Sequence, residues 1–316
     1  PTPAIFHTCH APVQQDTPHS QLATCKIGQG PRLPYGEGFK VAFQNVRNIR
    51  SATKLHRLQA IMRERRVLIM GITETCTESH HYYMSQGFTC YFNGKEGVRG
   101  SGVGAIIHPR VRPFIQEILQ ISDRLLRITI RMRAGPCYVY VVYAPHQGKQ
   151  HDDIRAPFWQ QLTTLMQSHA DRDLVLVGGD FNVRLQGRQE SETIQLGPHV
   201  FGKGEDYIDH NMDGNREQFM QLLRTNDMCV ANTFRASKPI QQITYREKVP
   251  PPLTTQSFCR DPLSFLHILH KITGLAPDYS ARDQSNSLLA VAYRVRECLT
   301  NTRVVGHQLA MTSTQI

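Results

Sequence analysis

The sequence predicts an α/β fold in which two packed, mixed β-sheets are flanked by helices. At least seven apolar runs of strand length occur along the chain, and two or three segments of helical period lie between them. The two kinds of segment do not alternate one for one, as they would in a single doubly wound parallel sheet. This order is typical of two sheets that pack against each other with the helices outside.

Most of the 316 residues are predicted to form one domain, over residues 38–298. Residues 1–37 show no apolar period and are rich in Pro, Gln, Thr and His, which is typical of a disordered tail. The pattern weakens after three consecutive prolines, so residues 247–284 stay poorly defined at this level. Residues 299–316 are predicted to form a second tail.

The composition favours an anionic partner. The formal net charge of +10 attracts nucleic-acid phosphates over long range. No apolar run approaches the roughly 18 residues that a membrane helix needs, so we expect no membrane partner and a nuclear or cytoplasmic location. The eight cysteines include no Cys-x-x-Cys pair, which indicates reduced thiols rather than a zinc framework or disulfides.

The first half of the domain is predicted to contain five strands and one helix. Ser51 is a suitable N-cap for the helix, whose apolar stripe includes Leu55 and Leu58. The polar face of this helix is basic, which suits either simple solvation or contact with nucleic acid. In chain order, the predicted elements are a strand over 39–45, the helix over 52–65, and strands over 67–73, 100–107, 125–132 and 137–143.

The second half contains two further helices that show apolar stripes. Phe158 and Leu162 support the first of them, and Phe219 and Leu222 support the second. Residues 185–205 are predicted to form a loop. In chain order, the predicted elements are a helix over 152–170, a strand over 174–183, a helix over 215–226, and strands over 228–232, 243–246 and 288–295.

The strand over 174–183 carries the clearest chemical signal. An apolar Leu-Val-Leu-Val run enters two glycines and is followed by Asp180, Phe181 and Asn182. Residues i and i+2 of an extended segment point to the same side, so a carboxylate and a carboxamide are presented together at the rim of a buried sheet. The same pair also suits an ordinary Asx turn, since Asp and Asn both favour turns.

Three other buried strands also end in polar side chains. Asn45, Glu74 and Tyr143 each follow or close an apolar run. Each residue alone has a structural interpretation as well: Asn45 suits the cap of a turn, Glu74 an ordinary polar strand end, and Tyr143 a buried ring with a polar tip. Their occurrence together favours a chemical site.

In this order, the motifs resemble those of the endonuclease/exonuclease/phosphatase superfamily, which has the DNase-I-like fold. The resemblance rests on Asn45 in Phe-Gln-Asn-Val-Arg, Glu74 in Gly-Ile-Thr-Glu-Thr, Tyr143 in Val-Val-Tyr-Ala-Pro, and Asp180 with Asn182 in Gly-Asp-Phe-Asn. Within the superfamily, the chain most resembles the endonuclease domains of non-LTR retrotransposons, which accompany a reverse transcriptase, and craniofacial development protein 2-like proteins. This finer resemblance rests on the motifs Tyr-Ala-Pro-His, Asn-Arg-x-x-Phe and Ala-Asn-Thr-Phe. It covers residues 38–246.

The resemblance implies a four-layered α/β sandwich that hydrolyses phosphodiesters in DNA with Mg²⁺ or Mn²⁺. It implies that Glu74 binds the metal with help from Asn45, that Asp180 activates the attacking water, and that Tyr143 and Asn182 donate hydrogen bonds to phosphoryl oxygens. Oxygen ligands are what Mg²⁺ prefers, which agrees with these residue types. No organic cofactor is implied.

The C-terminal motifs depart from the family pattern. Where the family has Asp-His before its last strand, this chain has Asn286 and Ser287. Asn286 carries no negative charge and Ser287 cannot be a cation, so the departure predicts an impaired enzyme. Two alternatives therefore stay open beside the endonuclease: a non-catalytic remnant that binds nucleic acid, and a phosphatase on the same fold.

Overall fold

The computed structural model describes residues 24–26, 30–33, 40–77, 80–95, 101–133, 135–146, 151–170, 173–183, 185, 187–200, 213–234 and 290–294. Within these residues two mixed sheets pack face to face, and helices cover the outer face of each sheet. The predicted α/β sandwich with four layers is therefore confirmed.

The described elements comprise twelve strands and three α-helices. In chain order they are β1 (Thr24–Lys26), β2 (Lys40–Asn45), α1 (Ala52–Arg65), β3 (Val67–Thr73), β4 (His81–Ser85), β5 (Phe88–Phe92), β6 (Val103–Ile107), β7 (Ile115–Gln120), β8 (Leu125–Met132), β9 (Gly135–Tyr143), α2 (Asp152–Gln167), β10 (Leu174–Asp180), α3 (Asp213–Thr225), β11 (Met228–Val230) and β12 (Ala290–Arg294).

One sheet has five strands in the order β2-β3-β6-β5-β4, and the other has seven in the order β1-β7-β8-β9-β10-β12-β11. Each sheet contains one parallel pair among the described strands, β2 with β3 and β9 with β10. Their other neighbouring strands run antiparallel. Parallel partners need a crossover connection; α1 lies between β2 and β3, and α2 between β9 and β10.

Helix α1 has the predicted bounds. Ser51 occupies its N-cap position with extended backbone, although its side chain makes no capping hydrogen bond. Leu55, Leu58 and Met62 are buried against the outer face of the five-stranded sheet. The helix ends at Arg66, whose left-handed φ of 56° lets its N–H reach back to the last turn.

Several strands were not predicted, or were predicted incorrectly. The disordered-tail prediction is wrong for Thr24–Lys26, because these residues form β1 and pair with β7. A three-residue strand is too short to show an alternating apolar pattern in the sequence. It is recognised only from its pairing with a strand far along the chain. Strands β4 and β5 were missed although Gln86 and Gly87, with φ of 47° and 82°, form the two-residue turn typical of a hairpin.

Other predictions fall outside the described residues. These are the strand over 243–246, the poorly defined stretch over 247–284, and the tail over 299–316. Among the described residues, no helix is long and apolar enough to cross a membrane. Cys90 and Cys137 are free thiols buried in the core.

The two sheets approach closely at glycines. Phe43 of β2 points into the space between the sheets, where the ring lies against Gly178 of β10 and Gly71 of β3. A Cβ at Gly71 would lie 2.7 Å from Phe43 Cδ1 and 2.7 Å from Val141 Cγ2. The absent side chains thus let the sheets come together at the end of β2 and β10.

Replacing Gly178 with Ala should destabilise the fold. The new methyl would enter the Phe43 ring, which is buried in close-packed surroundings, so we expect a loss of about 1–3 kcal/mol in the free energy of unfolding. Urea denaturation followed by circular dichroism measures this loss. In a double-mutant cycle with Phe43→Leu, the two losses should sum to more than the loss of the double variant; strict additivity would contradict the contact.

Candidate functional site

The two parallel strand pairs place their carboxyl ends at one rim of the sandwich. Asn45 pairs with Thr73 at the end of β2 and β3, so Glu74 follows directly beside it. Tyr143 pairs with Asp180 at the end of β9 and β10. Four of the predicted site residues therefore close two neighbouring strand pairs, one pair in each sheet.

The close approach of the sheets brings these residues into contact. Asn45 lies two positions after Phe43, and Asp180 lies two positions after Gly178, so each side chain shares the face of its predecessor. Asn45 Nδ2 donates a hydrogen bond of 3.0 Å to Asp180 Oδ2 in the other sheet. Contact between Phe43 and Gly178 therefore goes with a close approach of the sheets, across which Asn45 and Asp180 can bond.

Asn45 connects the two carboxylates of the site. Its Nδ2 also donates to Glu74 Oε1 at 2.6 Å. Tyr143 OH donates to the same Glu74 oxygen at 3.5 Å, a longer bond. Asn45, Tyr143 and Asp180 are almost fully buried, whereas Glu74 is half-buried. The structure thus brings together the four residues that the sequence placed at separate strand ends.

The turn interpretations are correct as well. Asn45 Oδ1 accepts the N–H of Arg47 at 2.9 Å, and Asp180 Oδ1 accepts the N–H of Asn182 at 3.1 Å. These are Asx turns, and each leaves the second polar atom of its side chain directed at the cleft. The turns therefore orient the site residues instead of competing with a chemical role.

Asn182 differs from its predicted role in one respect. Its side-chain Nδ2 donates to the backbone oxygen of Ala144 at 2.7 Å, so it ties the loop after β10 to the loop after β9. Its φ of 47° is left-handed, which Asn tolerates better than most residues. In this structure Asn182 fixes the position of both loops.

Burial changes the acidity of two side chains in the cleft. Burial raises the pKa of the Glu74 carboxyl; the hydrogen bond from Asn45 opposes this, and the nearby charge of Asp180 adds to it. Burial, with the charges of Glu74 and Asp180, also raises the pKa of the Tyr143 phenol. Tyr143 therefore keeps its proton and remains a hydrogen-bond donor at neutral pH.

Strained backbone is concentrated beside the cleft. Arg47, Glu74, Cys76 and Asn182 all have φ between 47° and 55°. Non-glycine residues in this region cost on the order of 1–3 kcal/mol each and occur often at functional sites. The strain at Glu74 turns its carboxylate out of the strand direction and towards Asn45 and Tyr143.

Two residues of the site were missed by the sequence reasoning. Asn215, buried at the start of α3, donates to the backbone oxygens of Pro145 (2.8 Å) and Asn182 (3.2 Å), and accepts Trp159 Nε1 at 3.0 Å. His146 Nε2 lies 3.1 Å from Tyr143 OH. The available signal was the Asn-Arg-x-x-Phe motif and the His that follows Tyr-Ala-Pro.

The residues of the cleft fit a hard divalent cation. Glu74 and Asp180 are two carboxylates joined by one amide, and the charge of Asp180 raises the pKa of Glu74, so positive charge between them would be stabilising. Within the described part of the chain, no group of three or more His, Cys, Asp or Glu side chains suits a metal. Carboxylate oxygens are the ligands that hard divalent cations prefer.

Asn286 and Ser287 lie outside the described residues, immediately before the described strand β12. Strand β12, Ala290–Arg294, lies within the strand predicted over 288–295. It pairs with residues Leu176 to Gly179 of β10. Impairment of the enzyme therefore stays a prediction.

Known proteins with similar sequences support the family resemblance. The model of the Endonuclease/Exonuclease/phosphatase family matches residues 42–240. Craniofacial development protein 2 from Bos taurus is 25% identical over 171 residues, which is 54% of this chain. The chain spans only 27% of the length of that relative.

A solved structure of a nuclease shows the same fold. An AP endonuclease from Archaeoglobus fulgidus has a TM-score of 0.54 at 17% identity, and the match covers 81% of this chain and 98% of that one. The endonuclease domain of TRAS1, a telomere-specific non-LTR retrotransposon, has a TM-score of 0.43 at 13% identity, with 83% and 87% of the two chains covered. The family match over residues 42–240 confirms the superfamily resemblance inferred from the sequence.

Proposed function

The chain belongs to the Endonuclease/Exonuclease/phosphatase family, and on that premise we propose that it is a DNA endonuclease dependent on a divalent metal ion. One observation carries the proposal: Asn45 joins Glu74 of one sheet to Asp180 of the other, directly beside the Tyr143 hydroxyl. Oxygen ligands, a candidate base and a hydrogen-bond donor thus meet in one cleft, as phosphoryl transfer to water requires.

Each side chain has a distinct role in the proposed reaction. Glu74 would hold Mg²⁺ or Mn²⁺, which would stabilise the negative charge of the phosphate. Asn45 would help to hold this site by orienting the Glu74 carboxylate through the hydrogen bond from its Nδ2. Asp180 accepts a proton from the attacking water, and its carboxylate is oriented by the N–H of Asn182 and by Asn45. Tyr143, which keeps its proton, donates a hydrogen bond to a phosphoryl oxygen.

Asn182 has a second function in this scheme. Its amide nitrogen carries two hydrogens, and one of them bonds to Ala144. We assign the other to a phosphoryl oxygen. The backbone of Asn182 is held in place by Asn215, which donates to the Asn182 carbonyl and is itself fixed by a hydrogen bond from Trp159.

The positive charge of the chain supports DNA as the substrate. The net charge is +10, and the basic face of α1 includes the exposed Arg57 and Arg63. Nearer the cleft, Arg47 exerts an attractive charge on Glu74, and Arg50 Nε bonds to the backbone of Cys76 at 2.9 Å. These cations suit the phosphates that flank a cleaved bond. The retrotransposon-like motifs support an origin in a mobile element.

Nicking of supercoiled plasmid tests the proposal. We expect the purified chain to convert supercoiled DNA to the open circular form in the presence of Mg²⁺ or Mn²⁺. A chelator should stop the reaction, and renewed metal should restore it. Release of phosphate from small monoesters without nicking would instead indicate a phosphatase, and DNA binding without either reaction would indicate a non-catalytic remnant.

A further inference from the structure

We propose that His146 is a catalytic residue whose imidazole donates a hydrogen bond to the phosphate that is cleaved. This inference rests on the proposed function, because it requires a phosphodiester in the cleft. It adds to the site a residue in the loop after β9, beyond the strand-end residues already described.

The imidazole lies at the solvent end of the cleft. His146 Nε2 is 3.1 Å from Tyr143 OH, and the two rings meet edge to face at 86° with centroids 6.0 Å apart. Tyr143 is 3% exposed, whereas His146 is an exposed residue. A phosphate that accepts a hydrogen bond from the Tyr143 hydroxyl therefore comes within reach of the neighbouring imidazole.

The backbone before His146 is fixed on both sides of the cleft. Ala144 N–H donates to the backbone oxygen of Asp180 at 2.7 Å, and Ala144 O accepts from Asn182 at 2.7 Å. Pro145 O accepts from the buried Asn215 at 2.8 Å. These contacts hold residues 144 and 145 without involving the imidazole, so the backbone that leads to His146 is fixed in advance of substrate binding.

The negative charge of the cleft favours a hydrogen-bond donor beside the Tyr143 hydroxyl. Glu74 and Asp180 carry two negative charges, and a divalent ion balances these two. A bound phosphodiester adds a third negative charge, which the ion leaves unbalanced. Arg124 lies over the Tyr143 ring, with Cζ 5.0 Å from the centroid, but its guanidinium donates to the backbone oxygen of Tyr143. His146 Nε2 contacts the Tyr143 hydroxyl and its side chain is exposed at the solvent end of the cleft, so it is the better placed donor.

His151 supplies a matched control. Its ring centroid is 6.2 Å from that of His146, and it stands at the N-cap position of α2. The two histidines share the same loop connection and the same chemistry, but the described contact with Tyr143 belongs to His146. A His-to-Ala change at each position therefore separates a general loss of imidazole from the loss of this contact.

The test compares plasmid nicking by His146→Ala and His151→Ala. We expect kcat to fall by about tenfold to a hundredfold in His146→Ala, the usual range for a hydrogen bond to a charged group, and to change less than twofold in His151→Ala. Free imidazole in the buffer should restore part of the activity of His146→Ala. Activity within twofold of the wild type, or a loss that imidazole does not restore, would overturn the inference while leaving the proposed function standing.

A binding measurement covers the case in which the wild-type chain does not nick DNA, which would end the proposed function. Fluorescence anisotropy of a labelled duplex is compared between Asp180→Asn and Asp180→Asn with His146→Ala, neither of which should consume the DNA. Weaker binding by at least fivefold in the double variant supports the phosphate contact, by the same hydrogen-bond range. Equal affinity overturns it.

Discussion

Asp180→Asn should reduce the rate of plasmid nicking by about a thousandfold, within the usual range for removal of a catalytic acid or base. The Asn side chain has the shape of Asp but cannot take a proton from water. Both oxygens of Asp180 already accept hydrogen bonds. The NH₂ group of the new Asn would therefore face another donor, either Asn45 Nδ2 or the N–H of Asn182. Affinity for DNA should be equal or higher, since a negative charge is lost.

Asp173→Asn is the matched control for Asp180→Asn. Asp173 precedes the same strand, is 8% exposed, and accepts the backbone N–H of Ala170 at 3.1 Å, but it lies at the opposite end of β10. Nicking by this variant should stay within about twofold of the wild type, as expected for a substitution outside the reacting groups. An Asp180→Asn variant that retains more than a tenth of the activity would contradict the role of Asp180 as the base.

Glu192→Gln should lower the free energy of unfolding by about 3–5 kcal/mol, the range for removal of one partner from a buried ion pair. Glu192 is 1% exposed and accepts two hydrogen bonds from Arg216, at 2.8 and 2.7 Å. It also accepts the N–H of Gln189 at 3.0 Å. A Gln amide would turn a donor towards Arg216 or Gln189, and the guanidinium would lose its counter-charge.

Asp152→Asn removes a comparable carboxylate from the surface. Arg155 and Asp152 form an ion pair of 2.6 Å, but the Asp152 side chain is 55% exposed. Such pairs contribute about 0–1 kcal/mol, so the unfolding curve in urea should barely move. Equal losses from Glu192→Gln and Asp152→Asn would show that burial of the Glu192 pair has no energetic consequence.

The central part of the site could be predicted from sequence because it depends on local rules. Asn45, Glu74, Tyr143 and Asp180 each stand at the end of a buried apolar run, and parallel strands align their carboxyl ends. The apolar pattern identifies the strand, and the first polar residue after it identifies the rim. The contact between Asn45 and Asp180 then needs only that the two sheets pack together.

Other features depend on distant partners that leave no local trace. Asn215 lies 33 residues after Asn182, and only the packing of α3 beside α2 makes it support the loop. Strand β4 was missed because it is an edge strand with mostly exposed or half-exposed residues, so it has no clear alternation. The left-handed backbone at Glu74 likewise follows from its surroundings, since glutamate has no local preference for it.

The division of the sandwich between two stretches of the chain has a practical consequence. Among the described strands, residues 40–107 build the five-stranded sheet, which bears Asn45 and Glu74, and residues 115–180 build the strands that bear Tyr143 and Asp180. A short 3-10 turn, Arg112–Phe114, joins them. Cutting the chain there would give two fragments with half of the proposed reactive groups each. If the chain cleaves phosphodiesters as proposed, that cleavage would measure how far the fragments reassemble. The two fragments could therefore serve as the halves of a split-protein sensor.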